Sequence, residues 1–181
     1  MKTEINRALK VLINGGVILD PTDTIWGIGC DSTNPDAILK IFHIKKRDDS
    51  KALISLVADK RQLKSITGHI PNIDITSMPT TIIYPSAAGL SKKILATNGS
   101  SAIRIVQDAF CKRLIKDFGK PIVSTSANIS GSASPGRFSE ISEEIKKSVD
   151  YIVNLKHNQL MDTPSKIIII NKDASITKIR E

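Results

Sequence analysis

Short apolar runs alternate with helical stretches along this chain, and this alternation constrains the fold more than any other feature. Helical spacing or capping signals mark five segments, at residues 3–15, 34–47, 59–65, 108–118 and 140–148. Eight apolar runs are typical of strands, at residues 17–19, 52–57, 81–84, 102–106, 122–124, 151–153, 167–170 and 176–179. The last three strands follow one another without long helices, so the pattern predicts an α/β fold of α+β character with a mixed sheet.

Capping residues mark the start of two of these helices. Thr3 can cap an amphipathic stretch that Gly15 and Gly16 bring to an end. Asn34 can cap a second helix, because Pro35 follows it at the first helical position. We expect this second helix to end in a cluster of basic residues at its junction with the next strand.

The composition fits a single globular domain spanning residues 1–181. Since 40% of the residues are hydrophobic but only 4% are aromatic, the core must consist mainly of Ile, Leu, Val and Ala. No run approaches the roughly 18 apolar residues of a membrane span, and the amino terminus lacks a secretion signal. We expect a cytoplasmic protein without a membrane partner, in which Cys30 and Cys111 are free thiols and no metal site is formed.

A polar, glycine-bearing segment at residues 21–31 follows the first apolar strand and is typical of a binding loop. Pro21 should stop strand hydrogen bonding, and residues 22–24 supply two threonines and an aspartate that can bond a ligand or nearby backbone. Gly27 and Gly29 would let the chain approach a bound group closely. Taken alone, the segment fits an ordinary polar turn equally well.

Four further motifs make a binding function the better interpretation. They lie at residues 45–51, 101–104, 124–131 and 164–167. The first is rich in lysine and arginine, and the formal net charge of +8 favours anionic partners such as a nucleotide, pyrophosphate or RNA. The third follows a strand, where exposed backbone N–H groups bind anions well.

Taken in chain order, these motifs resemble those of the YrdC-like threonylcarbamoyl-adenylate synthases, from about residue 9 to residue 180. Pro-Thr-Asp-Thr at residues 21–24 and Ser-Thr-Ser-Ala-Asn-Ile-Ser-Gly at residues 124–131 are the most specific elements. The resemblance is to the short, single-domain members. It implies a YrdC-like fold, in which a twisted mixed sheet flanked by helices forms a concave basic cavity.

The resemblance also implies a reaction. These enzymes join L-threonine, bicarbonate and ATP into threonylcarbamoyl-adenylate with release of pyrophosphate, for the N6-threonylcarbamoyladenosine modification of tRNA. Such chemistry requires two anions held in line and cations that neutralise phosphate charge, but no protein nucleophile. Mg²⁺ is expected with ATP, and the implied partners are tRNA or double-stranded RNA and a downstream threonylcarbamoyl-transfer complex.

The family's roles can be carried onto matching positions of this chain. The threonine-binding residues would be Thr24, Arg104, Ser124 and Ser165, with Arg104 pairing bidentately with the substrate carboxylate. Lys45 and Arg47 would be catalytic. The ATP-binding residues would be Arg47, Lys51, Ser100, Ser126, Asn128, Ser134 and Arg180.

Several alternatives stay open at the level of sequence. Arg104 is either a ligand clamp or a buried ion-pair partner, Asn128 can simply shape its turn, and Asp23 can be structural. Trp26 stands where the family usually has Tyr, and Lys166 adds charge near the threonine pocket, so a paralogue with another substrate is an alternative.

An RNA-binding module is a second alternative, because it would need no intact threonine contacts. A carbamoyl-transfer domain like that of hydrogenase-maturation proteins is disfavoured, because its companion zinc-finger-like and acylphosphatase segments are missing.

Overall fold

A mixed sheet forms the centre of the fold in the computed structural model, which describes residues 1–46, 53–171, 173 and 175–180. The strands of this described part are β1 (Ile18–Pro21), β2 (Trp26–Asp31), β3 (Ile54–Val57), β4 (Thr80–Tyr84), β5 (Ser101–Ile105), β6 (Ile122–Ser126), β7 (Tyr151–Ile152), β8 (Lys166–Ile170) and β9 (Ile176–Arg180). Its α-helices are α1 (Lys2–Ile13), α2 (Pro35–Ile44), α3 (Lys60–Thr67), α4 (Ala109–Phe118) and α5 (Glu143–Ser148). None of these helices is long and apolar enough to cross a membrane.

The strands pair in the order β7-β1-β2-β6-β3-β5-β4-β8-β9. Three pairs are parallel, namely β1 with β7, β3 with β5, and β4 with β8, and the other five pairs are antiparallel. The prediction of an α/β fold with a mixed sheet flanked by helices is therefore confirmed.

The helices cover the two faces of the sheet unequally. Helices α2 and α3 pack on one face, which we call the α2–α3 face, where apolar side chains of β2, β5 and β4 meet them. Helices α1 and α4 pack on the opposite face, the α1–α4 face, against β1, β3 and β6. Among the described residues, the hydrophobic cluster under these two helices includes no side chain of β4, β5 or β8, so that part of the face is left without helix packing.

The segment predicted as a loop at residues 21–31 is instead a β-hairpin, so that prediction is wrong for most of its length. Pro21 pairs with Trp26 at the end of β1, and only residues 22–25 form the turn. Gly27 and Gly29 lie in β2, where a β-carbon on Gly29 would stand 2.9 Å from the carbonyl oxygen of Val123. These glycines permit close packing of β2 on β6.

The two predicted helix caps have different outcomes. The Asn34 side chain accepts hydrogen bonds from the backbone N–H groups of Asp36 and Ala37, as expected for an N-cap. Thr3 is not a cap, because α1 begins at Lys2 and Met1 occupies the capping position without a side-chain hydrogen bond. A helix that starts at the second residue leaves no capping position for Thr3.

A buried carboxyl group in β1 makes stability depend on pH. Asp20 is buried beside α4, where the Cys111 thiol donates to its Oδ2 across 3.5 Å. Burial raises the pKa of Asp20 to about 7, and Asp108 adds to the increase while the thiol hydrogen bond opposes it. Folding therefore takes up a proton at this site, and the contribution to stability is full below about pH 4 and lost as pH rises through 7.

We expect the Asp20→Asn variant to lose this pH dependence. Between pH 5 and pH 8, the free energy of unfolding of the unmodified protein should fall by about 2 to 3 kcal/mol more than that of the variant. Urea unfolding of both proteins at the two pH values measures the difference. Equal pH dependence in the two proteins would show that Asp20 is ionised in the folded state.

Candidate active site

A cavity of about 430 Å³ opens on the uncovered part of the α1–α4 face. Two arginines, seven serine or threonine residues and seven apolar residues line it, and no carboxylate does so among the described residues. They are Thr24, Ile25, Leu53, Ile54, Thr81, Ile83, Ala102, Arg104, Ser124, Thr125, Ser126, Ser134, Pro164, Ser165, Ile167 and Arg180. A cavity with this lining is suited to a small anionic ligand that also has an apolar part.

Strand register explains why Arg104 faces this cavity. It lies in β5 directly opposite Leu56 of β3 and Thr81 of β4, and alternate residues of a strand project to the same face. By the same alternation, Ala102 lies beside Ile54 and Ile83, which also line the cavity. The arginine is thus fixed in the middle of a sheet rather than on a loop.

The Arg104 guanidinium is held by the turn between β1 and β2. Its Nη1 lies 2.9 Å from Asp23 Oδ1 and donates to Thr24 Oγ1 at 3.0 Å, while only 3% of the residue is exposed. Asp23 Oδ1 accepts no aligned hydrogen bond from the described residues, so its contact with Nη1 is an ion pair. Burial lowers the pKa of Arg104, and the nearby charge of Asp23 opposes that shift.

One nitrogen of the arginine lacks a partner in the described part of the chain. Arg104 Nε is buried and has no hydrogen-bond partner among the described residues, which is costly unless a ligand supplies one. The Oδ2 atom of Asp23 accepts a hydrogen bond of 2.8 Å from the backbone N–H of Gln107 and so anchors the turn. Arg104 is therefore an ion-pair partner that also lines the cavity, so both roles considered from sequence are compatible.

Arg180 and Ser165 close the opposite wall. Arg180 donates from Nε and Nη2 to the carbonyl oxygen of Ser165, at 2.9 and 2.6 Å. The Ser165 hydroxyl lies 2.8 Å from the Thr81 hydroxyl. These bonds join β9, the segment before β8, and β4 into one wall with a cation at its edge.

Seven of the residues proposed from sequence meet in this cavity although they come from distant parts of the chain. They are Thr24, Arg104, Ser124, Ser126, Ser134, Ser165 and Arg180. Sequence reasoning missed Thr81 and Thr125, whose hydroxyls also line the cavity, and the apolar wall that includes Ile83 and Ile167. The register of β4 with β5 and β8 places Thr81, Ile83 and Ile167 in the cavity, whereas Thr125 lies in β6 beside two residues that the motif had indicated.

Three other proposed residues lie away from the cavity lining. Lys45 is 2% exposed, and its ammonium contacts the carbonyl oxygens of Ser126 and Asn128. The Asn128 amide donates to the carbonyl oxygens of Ile129 and Ser132, so it shapes its own turn. Ser100 donates its backbone N–H to Asn98. Arg47 and Lys51 lie outside the described residues.

The two departures from the family pattern are both on the α2–α3 face. Trp26 is fully buried there and packs against Phe138 and His157, with ring centroids 5.1 and 5.5 Å apart. Lys166 neighbours Ile167 along β8, so the two side chains project to opposite faces, and only Ile167 lines the cavity. Lys166 is therefore not one of the residues that line the cavity, although its two neighbours in the chain are.

Comparisons with known proteins identify the family that this chain is similar to. The family model Sua5/YciO/YrdC, described as telomere recombination, matches residues 10–181. The chain is 35% identical over 162 residues to the threonylcarbamoyl-AMP synthase of Pseudoalteromonas translucida, covering 84% of this chain and 86% of that protein. It is 28% identical over 167 residues to the enzyme of the same name from Vibrio vulnificus, covering 84% and 87%.

The fold also matches a solved structure with a ligand. Sua5 from P. abyssi, complexed with L-threonine, superposes with a TM-score of 0.82 at 23% identity. The match covers 93% of this chain and 51% of that protein, so this chain spans about half of its length. On the extent of the family match and the shared fold, the chain is a member of the Sua5/YciO/YrdC family.

Proposed function

We propose that this protein is a threonylcarbamoyl-AMP synthase, a nucleotidyltransferase that makes threonylcarbamoyl-adenylate from L-threonine, bicarbonate and ATP. The observation that carries the proposal is the cavity itself. It places a buried arginine with an unpartnered Nε among serine and threonine hydroxyls, near a second arginine. The names of the two bacterial relatives supply the product, threonylcarbamoyl-AMP.

The threonine carboxylate is assigned to Arg104. A carboxylate that accepts from Nε and its neighbouring nitrogen would satisfy the buried donor and neutralise the cation. Thr24 is 3.0 Å from Nη1 of the same arginine, and Ser124 and Ser165 also line the cavity, so they can contact the amino group or hydroxyl of the substrate. Their hydroxyl groups both donate and accept.

The nucleotide is assigned to the side of the cavity that carries Ser126, Ser134 and Arg180. In the reaction, the threonine nitrogen takes up bicarbonate with loss of water, and an oxygen of the resulting carbamate attacks the α-phosphorus of ATP. The bond to the pyrophosphate oxygen breaks, and pyrophosphate leaves. The role of the protein is to hold the two anions in line and to stabilise charge on the leaving phosphates.

Magnesium is proposed to enter with the triphosphate. None of the residues within 1–46, 53–171, 173 and 175–180 forms a group of His, Cys, Asp or Glu suited to hold an ion. The carboxylate of Asp23, next to the lining residue Thr24, is already paired with Arg104. In this proposal, phosphate oxygens and water supply the ligands that Mg²⁺ prefers, and the metal neutralises phosphate charge.

Arg47 and Lys51 are proposed to complete the phosphate site, as inferred from their motif. The product is proposed to pass to a tRNA threonylcarbamoyl-transfer complex in the cytoplasm, a compartment in keeping with the free, buried thiols of Cys30 and Cys111. Direct binding of tRNA or double-stranded RNA stays a prediction. Its test is salt dependence, since binding through several phosphates weakens steeply as salt is raised.

The experiment that tests the proposal is pyrophosphate release from ATP and bicarbonate with each amino acid in turn. We expect release with threonine to exceed that with valine, which lacks the hydroxyl, and with alanine, which lacks the branch. Equal release with every amino acid, or release that does not require one, would contradict the threonine assignment. A preference for another amino acid would identify a paralogue with a different substrate.

A further inference from the structure

A buried lysine holds together the turn that follows β6. Lys45 occupies the C-terminal cap of α2 and is 2% exposed. Its Nζ lies 2.5 Å from the carbonyl oxygen of Ser126, 2.7 Å from that of Asn128, and 3.4 Å from Asn128 Oδ1. All three oxygens belong to the same turn, more than 80 residues away along the chain.

The backbone of Lys45 is joined to the same turn. Its carbonyl oxygen accepts a hydrogen bond of 2.9 Å from the backbone N–H of Ser130. The end of α2 is therefore fastened to the turn at residues 126–130 by both its side chain and its main chain. The negative ends of two carbonyl dipoles point at the Lys45 ammonium. Its positive charge therefore stabilises two carbonyl oxygens that would otherwise repel each other.

The position of this turn matters for the cavity. Ser126 is the last residue of β6 and lines the cavity, and Asn128 folds back to donate to the carbonyl oxygens of Ile129 and Ser132. Ser134, a few residues later, lines the cavity as well. A shift of the backbone at Ser126 would therefore displace the hydroxyl of Ser126 and, at the other end of the segment, that of Ser134.

We propose that Lys45 is a positioning residue rather than a group that contacts the nucleotide: its ammonium fixes the Ser126–Asn128 turn and thereby the nucleotide side of the cavity. The position of the ammonium is independent of the proposed function. Only the expected effect of Lys45 on the rate of the reaction rests on that function. The two short contacts occupy two of the three donors of the ammonium, so a lysine that bound phosphate through more than one N–H would leave a buried carbonyl oxygen without a donor, which is unfavourable.

The first test needs no activity and uses the unmodified protein. An amine-acylating reagent is applied with and without MgATP, and modification of each lysine is followed by mass spectrometry. Neighbouring Lys46 is the matched control, because 63% of its side chain is exposed. We expect Lys45 to react at least tenfold more slowly than Lys46 in the absence of nucleotide. Reaction at the rate of Lys46, with protection by MgATP, would overturn the proposal.

The second test separates positioning from direct contact through a double-mutant cycle. Lys45→Met and Ser126→Ala should each lower kcat/KM for ATP, by about tenfold for Lys45→Met, while KM for threonine changes less than threefold. The kcat/KM of the double variant should be little lower than that of Lys45→Met alone, because the Ser126 hydroxyl is already displaced in Lys45→Met and no longer contributes. A loss equal to the product of the two single losses would contradict the proposal. If Lys45→Met does not fold, the acylation result on the unmodified protein decides.

Discussion

Replacing Arg104 with alanine is expected to weaken threonine binding by about 2 to 4 kcal/mol, because the substrate carboxylate loses its charged partner. The same change should lower the free energy of unfolding by about 3 kcal/mol, since it leaves the Asp23 carboxylate buried without its cation. Calorimetric titration with threonine and urea unfolding of the same preparation measure the two effects.

A paired variant separates these two effects. Substituting Asp23→Asn together with Arg104→Met removes both buried charges, while the asparagine side chain can still accept from the Gln107 backbone N–H that Asp23 Oδ2 now binds. We expect this protein to regain most of the lost stability but none of the threonine affinity. A folded Arg104→Ala protein that binds threonine as tightly as the unmodified one would remove Arg104 from the substrate site.

Replacing Trp26 with alanine is expected to lower the free energy of unfolding by about 3 to 5 kcal/mol, the cost of deleting a large buried side chain. Trp26 packs against Phe138 and His157, whose rings stack at 3.8 Å. The cluster joins β2 to segments at residues 138 and 157. Thermal and urea unfolding measure the loss.

The matched control is Trp26→Phe, which retains an aromatic ring at this position and should lose less stability. Because Trp26 projects to the α2–α3 face, threonine affinity of the folded Trp26→Phe protein should stay within about twofold of the original. A large loss of threonine affinity without loss of stability would place Trp26 in the substrate site after all.

The mixed sheet was predictable because most strands are continuous apolar runs bounded by turn residues. Strand β2 was missed for a physical reason. In β2, Gly27 and Gly29 alternate with Trp26, Ile28 and Cys30, and glycine in a strand usually signals a turn or bulge. The period-2 alternation of the apolar residues did indicate a strand. The preceding proline and threonines are typical of loops, and for that reason the segment was interpreted as one.

The residues of the cavity were predictable only where a family motif named them. Thr24, Arg104 and Ser165 followed from their motifs, but Thr81 enters the cavity through its register with Arg104, which no local sequence encodes. Lys45 illustrates the same limit. A lysine in a basic motif looks like a phosphate ligand, and only the fold shows that its ammonium meets the carbonyl oxygens of another segment.

The most direct measurement of the central claim is the fate of labelled bicarbonate. The protein is incubated with ¹³C-bicarbonate, L-threonine and MgATP, and the nucleotide products are analysed at once by mass spectrometry alongside released pyrophosphate. The account predicts threonylcarbamoyl-adenylate that carries the label, formed in equal amount to pyrophosphate and only when threonine is present. An adenylate without the label, or pyrophosphate released without threonine, would contradict it.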